Sequence, residues 1–202
     1  ILRIPLVRLF YGASRFDWEA TVETGLTLAY FAIAITANAL IALLSRAFYA
    51  LKDSKTPFVI TIITVGFNIF LSYLFILYYQ LSIYFLAFSF SIASIMGVIL
   101  MTYFLNKKIE LPKIEIMISS TKIVISTIVM GAALYIPIKL LDQLVIDTTR
   151  TIGLLILTGI ASAVGLIAYI FFTWLLDIKE AYYIIRVLKK FGDKDKILRQ
   201  ID

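Results

Sequence analysis

Five apolar runs, each long enough to cross a bilayer, constrain this chain more than any other feature. A span needs about 20 mostly apolar residues to cross roughly 30 Å of hydrocarbon. The runs lie at about Gly25–Ser45, Pro57–Tyr79, Ser82–Leu105, Ile116–Leu141 and Thr151–Leu176. Only 16% of the 202 residues are charged and 61% are hydrophobic, with a mean hydropathy of +0.96. A soluble domain carries about a quarter charged residues, and one of this length could not hide so much apolar surface. The expected fold is therefore all-α: a polytopic transmembrane helix bundle of about five spans.

The breaks between runs are physically legible. Leu51–Pro57 separates the first two spans, with Thr56 expected as the N-cap and Pro57 in the first turn, where a missing N–H costs little. Gln80-Leu81-Ser82 is so short that the second and third spans must be antiparallel neighbours. Asn106–Lys113 and Asp142–Arg150 separate the remaining spans. Three regions follow: 1–108 with three spans, 109–177 with two more, and a tail over 178–202.

Basic residues set the expected orientation. One side collects Arg46, Lys52, Lys55, Lys107, Lys108, Lys113, Lys122 and seven residues of the tail, fourteen in all. The other collects five: Arg3, Arg8, Arg15, Lys139 and Arg150. The richer side is expected to be cytoplasmic, and with it the C-terminus. In the tail, Ala181, Ile184, Ile185, Leu188 and Phe191 share one helical face, and Lys179, Arg186 and Lys190 another. An amphipathic helix is expected there, lying on anionic membrane lipids or serving as a plain topological anchor.

The net charge of +6 does not indicate nucleic acid, because the basic residues fall between apolar runs and not in a groove-sized patch. The chain holds no His and no Cys. The commonest general base, the usual zinc ligand and thiol chemistry are all missing, so an enzyme is not expected and no cofactor is implied. Residues 1–10 read as the tail of a preceding element, broken by Arg3, Pro5 and Arg8, so the chain is expected to be a fragment.

Small residues recur four apart in the third span (Ser89, Ala93, Gly97) and the fifth (Gly159 with Ala163, Ala161 with Gly165), a spacing that lets helices approach closely. Polar residues inside spans are the sharper signal. The first span carries Thr27, Tyr30, Thr36 and Asn38; the second carries Thr61, Thr64, Asn68 and Ser72. Asn68 and Ser72 share a face. Their oxygens suit either a hydrogen bond between helices or a hard cation such as Na⁺.

The stretch Leu44-Ser45-Arg46-Ala47-Phe48-Tyr49-Ala50-Leu51-Lys52-Asp53-Ser54-Lys55-Thr56-Pro57, followed by Asn68-Ile69, resembles the hairpin of the MurJ/MviN family, "aRAFYAlxDtkTPv…N". Upstream, Pro5–Phe10 resembles that family's "PIVRLLF". The resemblance covers about residues 1–108. The family's "ERGAF" stands here as Tyr11–Phe16, an acidic or amide residue found in some members is Ser72, and a frequent Thr aligns with Phe90, between Ser89 and Ser91.

The resemblance implies a lipid II flippase of the MOP exporter superfamily, of which this chain is the C-terminal part. The substrate would be the undecaprenyl-linked peptidoglycan precursor, moved by alternating access across a bacterial cytoplasmic membrane. It implies substrate or gating roles for Arg46, Tyr49, Asp53, Lys55, Thr56 and Pro57. It also implies a Na⁺ coupling site at Asn68 and Ser72, and a missing N-terminal half of the same protein as partner. By placement, Arg46 near the end of the first span and Asp53 in the loop are expected either to pair or to cap exposed carbonyls at that helix end. A flippase for another polyprenyl-linked oligosaccharide (O-antigen or capsule type) and a non-transporting membrane scaffold remain alternatives.

Overall fold

Each apolar run forms one long helix. The structure, a computed structural model, describes residues 1–11, 17–109, 112–144 and 151–176. It contains α1 (Arg3–Tyr11), α2 (Trp18–Ala50), α3 (Lys55–Tyr73) continued by a π-helical turn (Leu74–Tyr78), α4 (Phe85–Lys108), α5 (Lys113–Leu144) and α6 (Thr151–Leu175). No strand occurs among the described residues. Among the described residues five helices are long and apolar enough to cross a membrane, so the chain is an all-α, multi-pass membrane protein. The tail after Asp177, with its expected amphipathic helix, lies outside the described residues, as do Arg15 and Arg150.

Two units divide the chain, Leu2–Leu111 and the part from Pro112 onward. In the first, α2 starts seven residues before the expected Gly25, at Trp18. Asp17 explains this: its extended backbone (φ −62°, ψ 152°) and its side chain, accepting from Trp18 N at 2.7 Å, cap the helix there. At 33 residues α2 is about 50 Å long, well beyond the hydrocarbon thickness. The segment 1–10, expected as a broken tail, contains the helix α1, because Pro5 sits in its first turn, where it is tolerated. Gly25 lets α1 approach α2; a Cβ there would stand 2.9 Å from Ile4 Cδ1.

Helix α4 is the central element of this unit. It buries Ala87, Ser91 and Ser94 as well as Ser89, Ala93, Gly97, Met101 and Leu105. Ser91 Oγ donates to Tyr30 O of α2 at 2.6 Å, while Ser89 bonds to residues of α3. The expected small-residue stripe is therefore one of two, and α4 packs against both α2 and α3, whose side chains Ile41 and Thr64 meet at Gly97. Phe48, Ile60, Met101 and Leu105 form an aliphatic and aromatic core at one end. At the other end Tyr30, Phe75, Tyr84, Phe85 and Phe88 cluster, with ring centroids as close as 4.9 Å for Tyr84–Phe85 and 5.0 Å for Tyr30–Phe88. Aromatic rings suit a membrane–water boundary, where their bodies are apolar and their tips wet.

The second unit is an antiparallel pair, α5 and α6. Of the two small-residue pairs expected in the fifth span, only Ala161 and Gly165 are buried; Gly159 and Ala163 are exposed. A Cβ on Gly165 would lie 2.5 Å from Leu134 Cγ, so the α5–α6 crossing depends on that glycine. Lys122 reaches the C-terminal end of α6, donating from Nζ to Leu176 O at 2.8 Å. A cation is favourable there because the last carbonyls of a helix are unsatisfied and carry partial negative charge.

Candidate functional site

The motif Arg46–Pro57 folds into a tight corner between α2 and α3. Helix α2 ends in a Schellman arrangement: Asp53 N donates to Phe48 O at 3.0 Å and Lys52 N to Tyr49 O at 2.9 Å. That geometry puts Lys52 at φ 57°, the left-handed region that favours glycine. The chain then turns straight into α3. Asp53 Oδ1 accepts from the backbone N–H groups of Lys55 and Thr56, both at 3.1 Å.

Asp53 is thus the N-cap, and the expectation that Thr56 fills this role is corrected. Ser54 already has helical dihedrals (φ −92°, ψ −15°), so Lys55 and Thr56 are the second and third helical residues, the donors a capping side chain normally takes. Pro57 is buried in the first turn.

The second Asp53 oxygen, Oδ2, forms an ion pair with Lys108 Nζ. The Lys108 ammonium also lies 6.0 Å from the centre of the Phe48 ring. Hydrogen bonds from the Lys108 ammonium and from Thr56 hold the Asp53 carboxyl well below the usual carboxylate range. The suggested Arg46–Asp53 pair does not form, because Lys108 and the α3 N-terminus take the carboxylate. Arg46 and Tyr49 are exposed, as is the Lys55 side chain, and no ion pair of Arg46 occurs among the described residues. The motif therefore divides in two. Asp53, Thr56, Pro57 and the Lys55 backbone build the corner, while Arg46 and Tyr49 point away from it.

Deeper in the helices two polar clusters bridge to α4. Asn68 Oδ1 accepts from Ser89 Oγ at 3.1 Å and from Ser72 Oγ at 3.4 Å, and the two hydroxyls share a bond of 2.8 Å. Ser89 also lies 2.8 Å from Leu86 O and is fully buried. Ser89, not the aligned Phe90, is the α4 partner of Asn68 and Ser72; Phe90 instead meets Phe31 edge-on at 5.8 Å. In the other cluster Asn38 Nδ2 donates to Ser94 Oγ at 3.3 Å. Three neutral side-chain oxygens converge at Asn68, Ser72 and Ser89. They are hard donors of the type Na⁺ takes, and no carboxylate joins them. Among the described residues no group of three or more His, Cys, Asp or Glu could hold a metal ion.

Sequence reasoning missed Lys108 and Ser94 as partners and the left-handed Lys52, and it named Ser89 only in the small-residue stripe and as a neighbour of Phe90. Lys108 and Asp53 are 55 residues apart and Asn38 and Ser94 are 56 apart. No local pattern links such pairs. For Lys52 a signal existed, since roughly a third to a half of helices end on a left-handed residue and the turn to a new helix follows closely.

Comparison with known proteins supplies the remaining finding. The family model described as "Lipid II flippase MurJ" matches residues 1–155. A curated relative, "Probable lipid II flippase MurJ" from Synechocystis sp., is 35% identical over 74 residues, which is 37% of this chain and 14% of that protein. The match thus takes in well under two thirds of the relative's length. No solved structure matches.

Proposed function

The chain belongs to the lipid II flippase MurJ family, and from that premise we propose that it is part of a transporter moving lipid II, the polyprenyl-linked peptidoglycan precursor, across a bacterial cytoplasmic membrane by alternating access. The carrying observation is that the family match runs through the structured corner and all of α1 to α5. The role is transport and not catalysis.

In this reading the corner holds α2, α3 and α4 together at the cytoplasmic end, so that they move as one body during each cycle. Arg46, exposed before the corner, is a cation available, with the exposed Lys52 and Lys55, to a substrate phosphate or to an acidic residue elsewhere in the protein. Tyr49 is exposed beside it. Asp53, Lys55, Thr56 and Pro57 act by fixing the corner that presents them. The test is translocation of labelled lipid II by the full-length protein in proteoliposomes. Arg46→Ala is expected to lower the rate while leaving thermal stability unchanged. An unchanged rate would remove Arg46 from the mechanism, and absence of lipid II transport by the wild type would remove the substrate assignment in favour of another polyprenyl-linked oligosaccharide.

The converging oxygens favour a second reading, that Na⁺ couples transport. Asn68, Ser72 and Ser89 would be its ligands from this chain. In the full-length protein, Asn68→Leu would then abolish a Na⁺ dependence of transport with the fold intact. If the variant keeps a wild-type Na⁺ response, the cluster is structural only.

A further inference from the structure

Helices α5 and α6 run antiparallel and keep their register. Gly165 meets Leu134, and eleven residues on, the Leu176 carbonyl meets Lys122, twelve residues back along α5. The seam on α5 passes through Leu134, the fully buried Ser126 and Lys122. Helix α6 has then ended, but nine residues of α5, Lys113–Thr121, extend past that level, about 13 Å of helix. Counting back in threes and fours puts Ser119 and Glu115 on the continuation of the seam. Ile116 and Ile118, which flank that stripe, are 47% and 50% exposed, so the described residues leave this face uncovered.

The chain carries a segment that fits it. Residues 177–202 begin where the uncovered face begins. On α6 the seam runs through Leu157, Ala161, Gly165, Ala168, Phe172 and Leu176, none of them exposed. The same spacing continues in the tail sequence through Lys179, Tyr183, Arg186 and Lys190. Tyr183 is seven residues beyond Leu176 and Glu115 is seven before Lys122, so in the α5–α6 register these two positions are level. Lys179 and Arg186 then fall one turn to either side of Glu115, two cations against one carboxylate. The remaining charges of these turns, Asp177, Glu180 and Lys113, fall off both stripes. A lipid surface would offer anions to the basic residues, but it has no register for them to match.

We propose that the first turns of the tail, residues 177–186, continue α6 and seat on the exposed start of α5, with Lys179 and Arg186 against Glu115. The tail lies beyond the family match, which ends at residue 155, and the inference does not depend on what is transported.

The chain has no Cys, so cysteine pairs report the contact directly. In the full-length protein, cleared of any other Cys and held in native membranes, Glu115→Cys with Tyr183→Cys should form a disulfide under mild oxidation. Met117→Cys with Tyr183→Cys and Glu115→Cys with Ile185→Cys should not. Met117, 66% exposed, is two residues from Glu115 and Ile185 is two from Tyr183, a rotation of about 200° away from each stripe. Absence of the 115–183 disulfide, or controls that form as fast, would overturn the proposal. A second measurement tests the charges without cysteines. In vesicles with the tail side outward, trypsin should cleave after Lys179 and Arg186 several-fold faster in Glu115→Arg than in the wild type, and Glu115→Asp should keep wild-type protection. Equal cleavage in all three, as for a tail lying on headgroups, or equal acceleration in both variants, as for a fold defect, would likewise overturn it.

Discussion

Asp53 and Lys108 form an ion pair that joins the α2–α3 corner to the last turn of α4. One carboxylate thereby serves three helices, since it follows the end of α2, caps the start of α3 and holds α4. Asp53→Asn keeps a good capping side chain and removes the charge; Asp53→Ala removes both. Thermal unfolding in detergent should therefore rank wild type above Asn and Asn above Ala. Because the folded carboxyl titrates below its ordinary range, the ion pair's contribution is fully present above that range, about pH 4. It is lost as pH falls through the lowered value. The gap between wild type and Asp53→Asn should be constant near neutrality and close only in strong acid. Restored stability in the exchanged pair Asp53→Lys with Lys108→Asp would show that pairing, and not cap geometry, dominates; no restoration would assign the effect to the cap.

Lys52 occupies a conformation that disfavours any side chain. Lys52→Gly should stabilise by up to about 1 kcal/mol, the relief of left-handed strain less the entropy of a more flexible unfolded chain. Lys52→Ile should destabilise by about 1 kcal/mol or more. Unfolding midpoints of the two variants give the comparison, and a destabilising glycine would count against the positive φ.

Gly165 and Gly159 differ only in what faces them. Gly165→Leu should disrupt the α5–α6 pair by about 1–3 kcal/mol through overpacking against Leu134. Gly159→Leu, with nothing within 4 Å of its Cβ position, should be tolerated. Leu134→Ala should partly rescue Gly165→Ala. Proteolytic protection of α6 in membranes reads all three.

Ser89 links Asn68, Ser72 and the Leu86 carbonyl. Ser89→Ala should lower stability by about 0.6 kcal/mol, the average for a hydrogen bond between membrane helices, and by no more than about 1.7 kcal/mol. Phe90→Thr should not affect this cluster. A larger loss at Phe90 than at Ser89 in unfolding measurements would reverse the assignment.

Expressed alone, residues 1–202 should insert into membranes and fail to translocate lipid II. The family's substrate path would need the rest of the protein. Transport by the purified chain in liposomes would refute the division of labour proposed here.

Hydropathy alone determined that there are five long helices, because the bilayer imposes a minimum apolar length that any reading of the chain can count. It also located the corner, since Lys52-Asp53-Ser54 interrupts two apolar runs. Tertiary structure decided who pairs with whom. Asp53 chose Lys108 over the nearer Arg46 because antiparallel packing brings the end of α4 to the start of α3. Ser89, not Phe90, met Asn68 because one residue along a helix is a rotation of about 100°. Which of two equivalent small-residue pairs in α6 became the interface was settled by Leu134 on the neighbouring helix. In lipid every face of a span is apolar, so the pattern that separates core from surface in a soluble protein is absent, and only the packed helices reveal it.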